Sequence, residues 1–307
     1  MNNLNVKIVG LGEGGARAVS RMMTAHVGQK LSADFVAVGN DENLLLTTAT
    51  HTNIFLNRDR ATVQKNIFDA LDGANFVVLV AGLGSTAAAR SIPLILSQTH
   101  KSKARTVVFA NLPSKLENQS RHENAAHCLS DLVKTDTVFA VPAEKFFLFR
   151  LNRKEISLKD LFTVADEIFC NGVKNYLDAL TGEKNLDALK LGDAAFCYGE
   201  AEGIDSTVDA LKAALKFPAL DVDELKRATK IFIRVTGGEL FFKTTADNAK
   251  KFFRDEVTDA KVIWRVDKDS DIVNKVRATI MFTRPPAVQA TKSNFPSLKN
   301  LLGRFQP

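Results

Sequence analysis

Five short runs of β-branched and apolar residues recur along the first half of the chain: Val6–Val9, Asp34–Val38, Phe76–Val80, Thr106–Ala110 and Thr137–Val141. None sustains the apolar/polar alternation of a strand with one wet face. Successive strand residues point to opposite faces, so a strand apolar throughout needs cover on both. Helical periodicity fills the gaps: Ala18, Val19, Met22 and Met23 share a face after the first run, and further helices are predicted over Ala61–Leu71 and Ala87–Gln98. Buried strands alternating with helices specify an α/β fold with a parallel sheet between two helical layers.

The longest helical pattern is Leu158–Leu180, with Leu161, Val164, Ile168, Val173, Leu177 and Leu180 at helical steps. The organisation then changes. Val208–Leu215 and a stretch near Asp247–Phe253 read as helices among strands at Ile231–Val235, Leu240–Phe242, Val262–Val266 and Val276–Phe282. That mixture predicts a smaller α/β domain with a mixed sheet, ended by Pro285 and Pro286. The expected division is a nucleotide-binding-like domain over 1–157, a connecting helix over 158–180, a second domain over 181–283 and a tail over 284–307.

With 307 residues, 45% of them apolar, the chain can build its core without disulfide or metal. Cys128, Cys170 and Cys197 show no metal-ligand spacing and read as buried apolar residues in a reducing compartment. No metal is expected. The opening MNNLNVKIVGLG runs straight into strand and turn, so neither a signal peptide nor a spanning helix is expected, and the cytoplasm is the predicted location. A net charge of +6 is compatible with an anionic surface but fits plain solubility as well. No nucleic-acid partner is expected.

The first strand ends in Gly10-Leu-Gly12-Glu13-Gly14-Gly15 and leads into a helix. Such a turn lets backbone N–H groups approach a phosphate. Gly10, Gly12 and Gly15 satisfy GxGxxG, so an NAD(P)-dependent oxidoreductase is one reading. It wants an acid about 20 residues further on to hold a ribose, and Asp41 falls later than that. Other segments point elsewhere. KIVGLGEGGARAVSRM (Lys7–Met22) resembles the first glycine loop and helix of FtsZ, and FVAVGNDENLL (Phe35–Leu45) its second strand and loop. AGLGSTAAARSIP (Ala81–Pro93) is similar to the tubulin-family signature loop. PSKLENQSR, VFAVPAEKF, LGDAAFCYGEAEG, ATKIFIRVTGG and KVRATIMFT resemble later FtsZ segments in unbroken order. The resemblance implies a tubulin/FtsZ-like fold: a Rossmann-like parallel-sheet nucleotide domain, a long central helix and a smaller C-terminal α/β domain. It also implies GTP or GDP as ligand and longitudinal assembly of copies into filaments.

By that resemblance, nucleotide contacts fall on Gly10, Gly12, Glu13, Gly14, Gly15, Arg17, Asp41, Gly82, Gly84, Ser85, Thr86, Glu117, Arg121 and Asp166. Departures from the family pattern make nucleotide binding doubtful. Gly82 and Gly84 remain in the signature loop, but Ala87, Ala88, Ala89 and Arg90 follow where the family has glycines. An alanine forced to positive φ costs about 1 kcal/mol, so the loop either binds phosphate poorly or has another shape. Ser85, Thr86 and Arg90 are candidates for compensating contacts; the alternative is a helix that begins early, over Ala87–Ser91. Before Ala61 the glycine-rich segment is missing. Arg17, Ala143 and Ala165 stand where family asparagines read the base. Asp166 is a candidate acceptor for a base N–H, and Glu117 and Arg121 for ribose or phosphate; each is equally readable as a surface charge.

FtsZ-like hydrolysis uses acids from the loop after the long helix, presented to the γ-phosphate of the next subunit. Here Asn185-Leu-Asp187 is the remnant, and Lys190 stands where the second acid belongs. A protonated lysine cannot act as a base. Asp187 is therefore the catalytic candidate, with helix capping or surface charge as its alternative, and Glu183 and Asp193 stand behind it. In the tail, Phe295, Leu298, Leu301, Leu302 and Phe305 form an apolar stripe beside Lys299 and Arg304. An anionic membrane at the inner face, a partner protein's groove or the chain's own domain would each accept it. The leading expectation is an FtsZ-like filament protein for membrane remodelling or scaffolding, with weak or lost GTP hydrolysis. The alternatives are a GTPase whose polymerisation follows nucleotide, and the oxidoreductase above.

Overall fold

The computed structural model describes residues 4–148, 158–181, 186–203, 206–217, 220–238, 245–258, 262–269, 272 and 274–285. They form two compact units that divide between Gly182 and Glu183. The first runs β1 (Val6–Leu11), α1 (Gly12–Thr24), β2 (Asp34–Gly39), α2 (Glu42–Thr47), β3 (Thr52–Phe55), α3 (Arg60–Ala70), β4 (Phe76–Gly82), α4 (Thr86–Ser102), β5 (Arg105–Leu112), α5 (Gln119–Leu132), β6 (Thr137–Pro142), α6 (Glu144–Leu148) and α7 (Leu158–Thr181).

Its strands lie in the order β3-β2-β1-β4-β5-β6, all parallel. The two-faced burial predicted for the apolar runs is visible on β4. Val77, Leu79 and Ala81 join one core cluster with Val63 and Ile67 of α3, Ile92 and Ile95 of α4, and Leu129 of α5. Phe76 points the other way, with its ring 6.2 Å from Tyr176 of α7. Tyr176 also meets Phe109 and Phe139, which stack on each other at 4.7 Å. The sequence reading missed β3, a short strand whose Thr52 and Asn53 give it no apolar signal. Because β1–β3 build outward in one direction and β4–β6 in the other, the chain reverses between β1 and β4. A crevice at the carboxyl ends of strands flanking such a reversal is where open α/β sheets hold ligands.

The second unit contains a 3₁₀ turn (Leu186–Leu189), β7 (Gly192–Glu202), α8 (Thr207–Leu215), α9 (Val222–Lys226), β8 (Ile231–Gly237), α10 (Thr245–Glu256), β9 (Val262–Lys268) and β10 (Lys275–Thr283). β10 is antiparallel to β7 and β8, and β8 is parallel to β9, so the sheet is mixed as expected. β7 is rich in small residues because α8 lies directly on it: a Cβ on Gly199 would sit 2.2 Å from the Ala214 amide nitrogen. The strand expected at Leu240–Phe242 lies outside the described residues. Arg284, placed at the start of the tail by the division expected from the sequence, is buried: its guanidinium faces Asp193 at 3.3 Å and Glu224 at 3.6 Å. Among the described residues no helix is long and apolar enough to cross a membrane. Cys128 and Cys197 are buried and Cys170 is half-buried. Burial pushes the Cys128 thiol up to about 12 and Cys197 further still, so both stay protonated and inert at neutral pH.

Candidate nucleotide crevice

Two turns meet where the sheet reverses. The first, after β1, uses its glycines for different ends. A Cβ on Gly10 would lie 2.3 Å from the Gly15 carbonyl oxygen, and one on Gly15 would lie 2.4 Å from the Val80 oxygen of β4. These two glycines let α1 press onto the sheet. Gly12 takes φ +73°, a left-handed value that side chains resist. Gly14 is different, for a Cβ there would meet nothing within 4 Å. No side chain caps the N-terminus of α1, so its first amide N–H groups are open to an anion. Glu13, exposed in the first turn, opposes one electrostatically.

The second turn, after β4, is not a glycine nest. No residue from Gly82 to Arg90 has a positive φ, so the alanines carry no left-handed strain. Of the two loop shapes left open by the sequence, the structure takes the early helix: α4 starts at Thr86, with Ser85 as its cap accepting from the Ala88 amide at 3.1 Å. Leu83 N–H donates to Asn111 O and Ser85 N–H to Gly82 O, each at 3.0 Å. Three amides of this turn and the first turn of α4 are thus engaged within the protein. The turns touch, since a Cβ on Gly12 would stand 3.1 Å from Ser85 Oγ. Thr86 is exposed in the first turn of α4, whereas Arg90 lines a separate cleft between α3 and α4 with Arg60.

From the far side α5 covers the second turn. Arg121 packs on Gly84, and Asn124 donates to the Gly84 oxygen at 3.2 Å. Arg121 also pairs with Glu117, which accepts from the Ser114 amide at 2.8 Å. These two candidates therefore bind each other, at the edge of the crevice. Asp41 caps α2, accepting from the Leu44 amide at 3.0 Å. Asn124, whose side chain holds the β4–α4 turn, was passed over in the sequence and had no signal there; Asn111 holds the turn through its main-chain oxygen.

Asp166 lies on α7 with its carboxylate buried, opposite Arg17 on α1. Arg17 Nε donates to Oδ2 at 2.7 Å and Nη2 to Oδ1 at 3.3 Å, a two-pronged grip. One turn along, Arg21 pairs with Glu167 at 3.0 Å. Burial pushes the Asp166 carboxyl above its ordinary value, and the pull of Arg17 only partly offsets this.

Asp187 belongs to the second unit, exposed on the 3₁₀ turn. Lys230 Nζ donates to the main-chain oxygens of Asp187 and Lys190 and pins that turn. Burial lowers the Lys230 pKa, and Asp187 partly restores it. Glu183, Asn185 and the tail residues Phe295, Leu298, Leu301, Leu302 and Phe305 lie outside the described residues.

The model of the C-terminal domain of the FtsZ family matches residues 192–284. Cell division protein FtsZ 1 of Pyrococcus furiosus is 28% identical over 305 residues, covering 91% of this chain and 80% of that protein. An empty FtsZ dimer from M. jannaschii superposes with a TM-score of 0.79 at 24% identity, covering 95% of each chain. CetZ2 from Haloferax volcanii, solved as a GTPγS-bound protofilament, gives 0.75 at 16% identity over 98% of this chain and 97% of that one.

Proposed function

We infer, for a chain that belongs to the FtsZ/tubulin superfamily, a cytoskeletal protein that assembles longitudinally with copies of itself, binds guanine nucleotide weakly and hydrolyses it slowly or not at all. The observation that carries the reading is the β4–α4 turn. Where a phosphate nest needs left-handed glycines with outward amides, this turn is wound into helix and capped by Ser85. The exposed Asp187 has the basic residues Lys190 and Lys230 beside it, not the cluster of acids that would orient a water. Assembly is supported by likeness that extends through both units. One observation favours the second reading, a nucleotide-dependent GTPase: the uncapped α1 N-terminus beside Gly12 keeps an anion site open. The tail, with its apolar stripe and basic neighbours, suits an anionic membrane surface and hence remodelling or scaffolding beneath it.

Electron microscopy of the purified full chain with no nucleotide, GDP or GTP, each with and without anionic vesicles, tests this. Filaments in every nucleotide condition are expected, with vesicle binding that needs residues 287–307. Filaments formed only with GTP, together with rapid phosphate release abolished by Asp187→Ala, would overturn it in favour of the GTPase.

A further inference from the structure

A cleft of about 300 Å³ opens between α3 and α4. Its floor is apolar: Leu56 and Val63 are buried, and Ala89 and Leu94 lie half-buried against the core cluster. The α4 wall offers little to fill it. Ala89 contributes only a methyl group, and Pro93 is a rigid ring set inside the helix. Pro93 also has no N–H for the Ala89 oxygen to accept, so this wall carries a main-chain acceptor without its usual helical donor.

The rim is cationic. Arg60 opens α3 and Arg90 lies on α4, and both are exposed where they line the cleft. Among the described residues neither makes a hydrogen bond or an ion pair. The charges next to Arg60 in the chain are committed elsewhere. Asp59 caps α3, accepting from the Thr62 amide at 3.0 Å and from its hydroxyl at 2.6 Å. Arg58 pairs with Glu42 at 3.2 Å. Two guanidinium groups bordering one small cleft repel each other, and carboxylates relieve both through charge-assisted hydrogen bonds.

We propose that the α3–α4 cleft is a docking site for an acidic peptide of a partner protein, which sets an apolar side chain on the floor, carboxylates against Arg60 and Arg90, and a main-chain N–H toward the Ala89 oxygen. A peptide carries all three features at once. Inorganic phosphate supplies the charge alone, and phosphatidylglycerol supplies charge and apolar surface but no N–H. The volume stands at the low end of small-molecule pockets, roughly 300–1,000 Å³, and suits one or two side chains better than a nucleotide. The chain's own tail is no match, since residues 287–307 have no Asp or Glu and carry Lys292, Lys299 and Arg304. The site stands apart from the nucleotide crevice and needs no nucleotide to form.

The probe is a fluorescein-labelled peptide, Gly-Glu-Asp-Phe-Asp-Glu-Gly, whose fluorescence anisotropy is followed on the full chain. Arg60→Gln and Arg90→Gln are each expected to weaken binding about tenfold, and the two together to abolish it. Ala89→Leu, which fills the floor and leaves both charges, abolishes it as well. Arg58→Gln removes an equal charge next door and leaves the affinity unchanged. Versions of the peptide with serine in place of phenylalanine, or with the phenylalanine nitrogen methylated, bind more weakly, and added salt weakens every complex. Denaturant melts check that each variant is folded. The proposal is overturned if the parent chain binds the peptide no tighter than the double variant does, if Arg58→Gln costs as much as Arg90→Gln, or if the serine or methylated version binds equally well. It is overturned too if inorganic phosphate or phosphatidylglycerol vesicles bind as tightly with the same dependence on the two arginines. Filaments are viewed in the same preparations. Their loss in the double variant would mean that a second copy of the chain fills the cleft, and would overturn the proposal while leaving the assembly reading in place.

Discussion

Each unit of this protein sets an arginine against buried acid, and the two arrangements differ in which partner water can reach. In the first unit the Arg17 side chain is 42% exposed and the Asp166 side chain 7%. In the second the Arg284 side chain is 4% exposed, with Glu224 at 7% beside it and Asp193 at 17%. Arg284 also ties its main chain down, donating its N–H to the Asp193 oxygen at 2.8 Å. A charge with no route to water holds its partners permanently. A charge with one foot in water can be exchanged for another donor. The same residue types thus make a lock at the end of β10 and a latch between α1 and α7.

The sharpest way to break that contrast is to remove each arginine. Arg284→Ala leaves Glu224 and Asp193 desolvated without their cation, and one-sided removal from a buried ionic cluster costs roughly 3–5 kcal/mol. Denaturant melts of the variant should show that loss; a loss under about 1 kcal/mol would put the cluster in water and end the distinction. Arg17→Ala should cost less, about 1–2 kcal/mol. Asp166 also loses its partner, but Arg21 remains close by and the place Arg17 vacates is half-exposed to water. Equal losses for the two variants would mean that Arg17 locks as Arg284 does.

Neither arrangement was legible in the sequence, and the reason is distance along the chain. Arg17 and Asp166 stand 149 residues apart, and Arg284 and Asp193 stand 91 apart. Periodicity reports which face a residue occupies and never what lies across from it. The same limit hid the fact that Glu117 and Arg121, at i, i+4 on adjoining loop and helix, pair with each other. The layers were legible, because two-sided burial writes itself into strands such as Phe76–Val80 without reference to partners. Elements carried by other forces were not. β3 pairs through its backbone with little apolar content, and β7 is small-residue-rich to admit α8. The glycine turn was half legible: Gly10, Gly12 and Gly15 have internal reasons to be glycine, and only coordinates separate Gly14 from them.

The finest test of the latch is its response to pH. Asp166 is held above its ordinary value of 3.8, first by burial and to a small extent by Glu167, against the opposing pulls of Arg17 and Arg21. An acid whose folded value is raised contributes stability below its unfolded value, and that contribution is lost as pH rises through the folded value. At neutral pH the ionised carboxylate is therefore a net destabilising feature of the first unit. Asp166→Asn removes the charge and frees Arg17 to turn its guanidinium into water, so no buried cation is stranded. The variant should melt slightly higher than the parent at pH 7. The gain should shrink as pH falls and the parent's carboxyl takes up its proton. The opposite sign at pH 7 would mean that the Arg17 pair outweighs burial, which makes it a second lock.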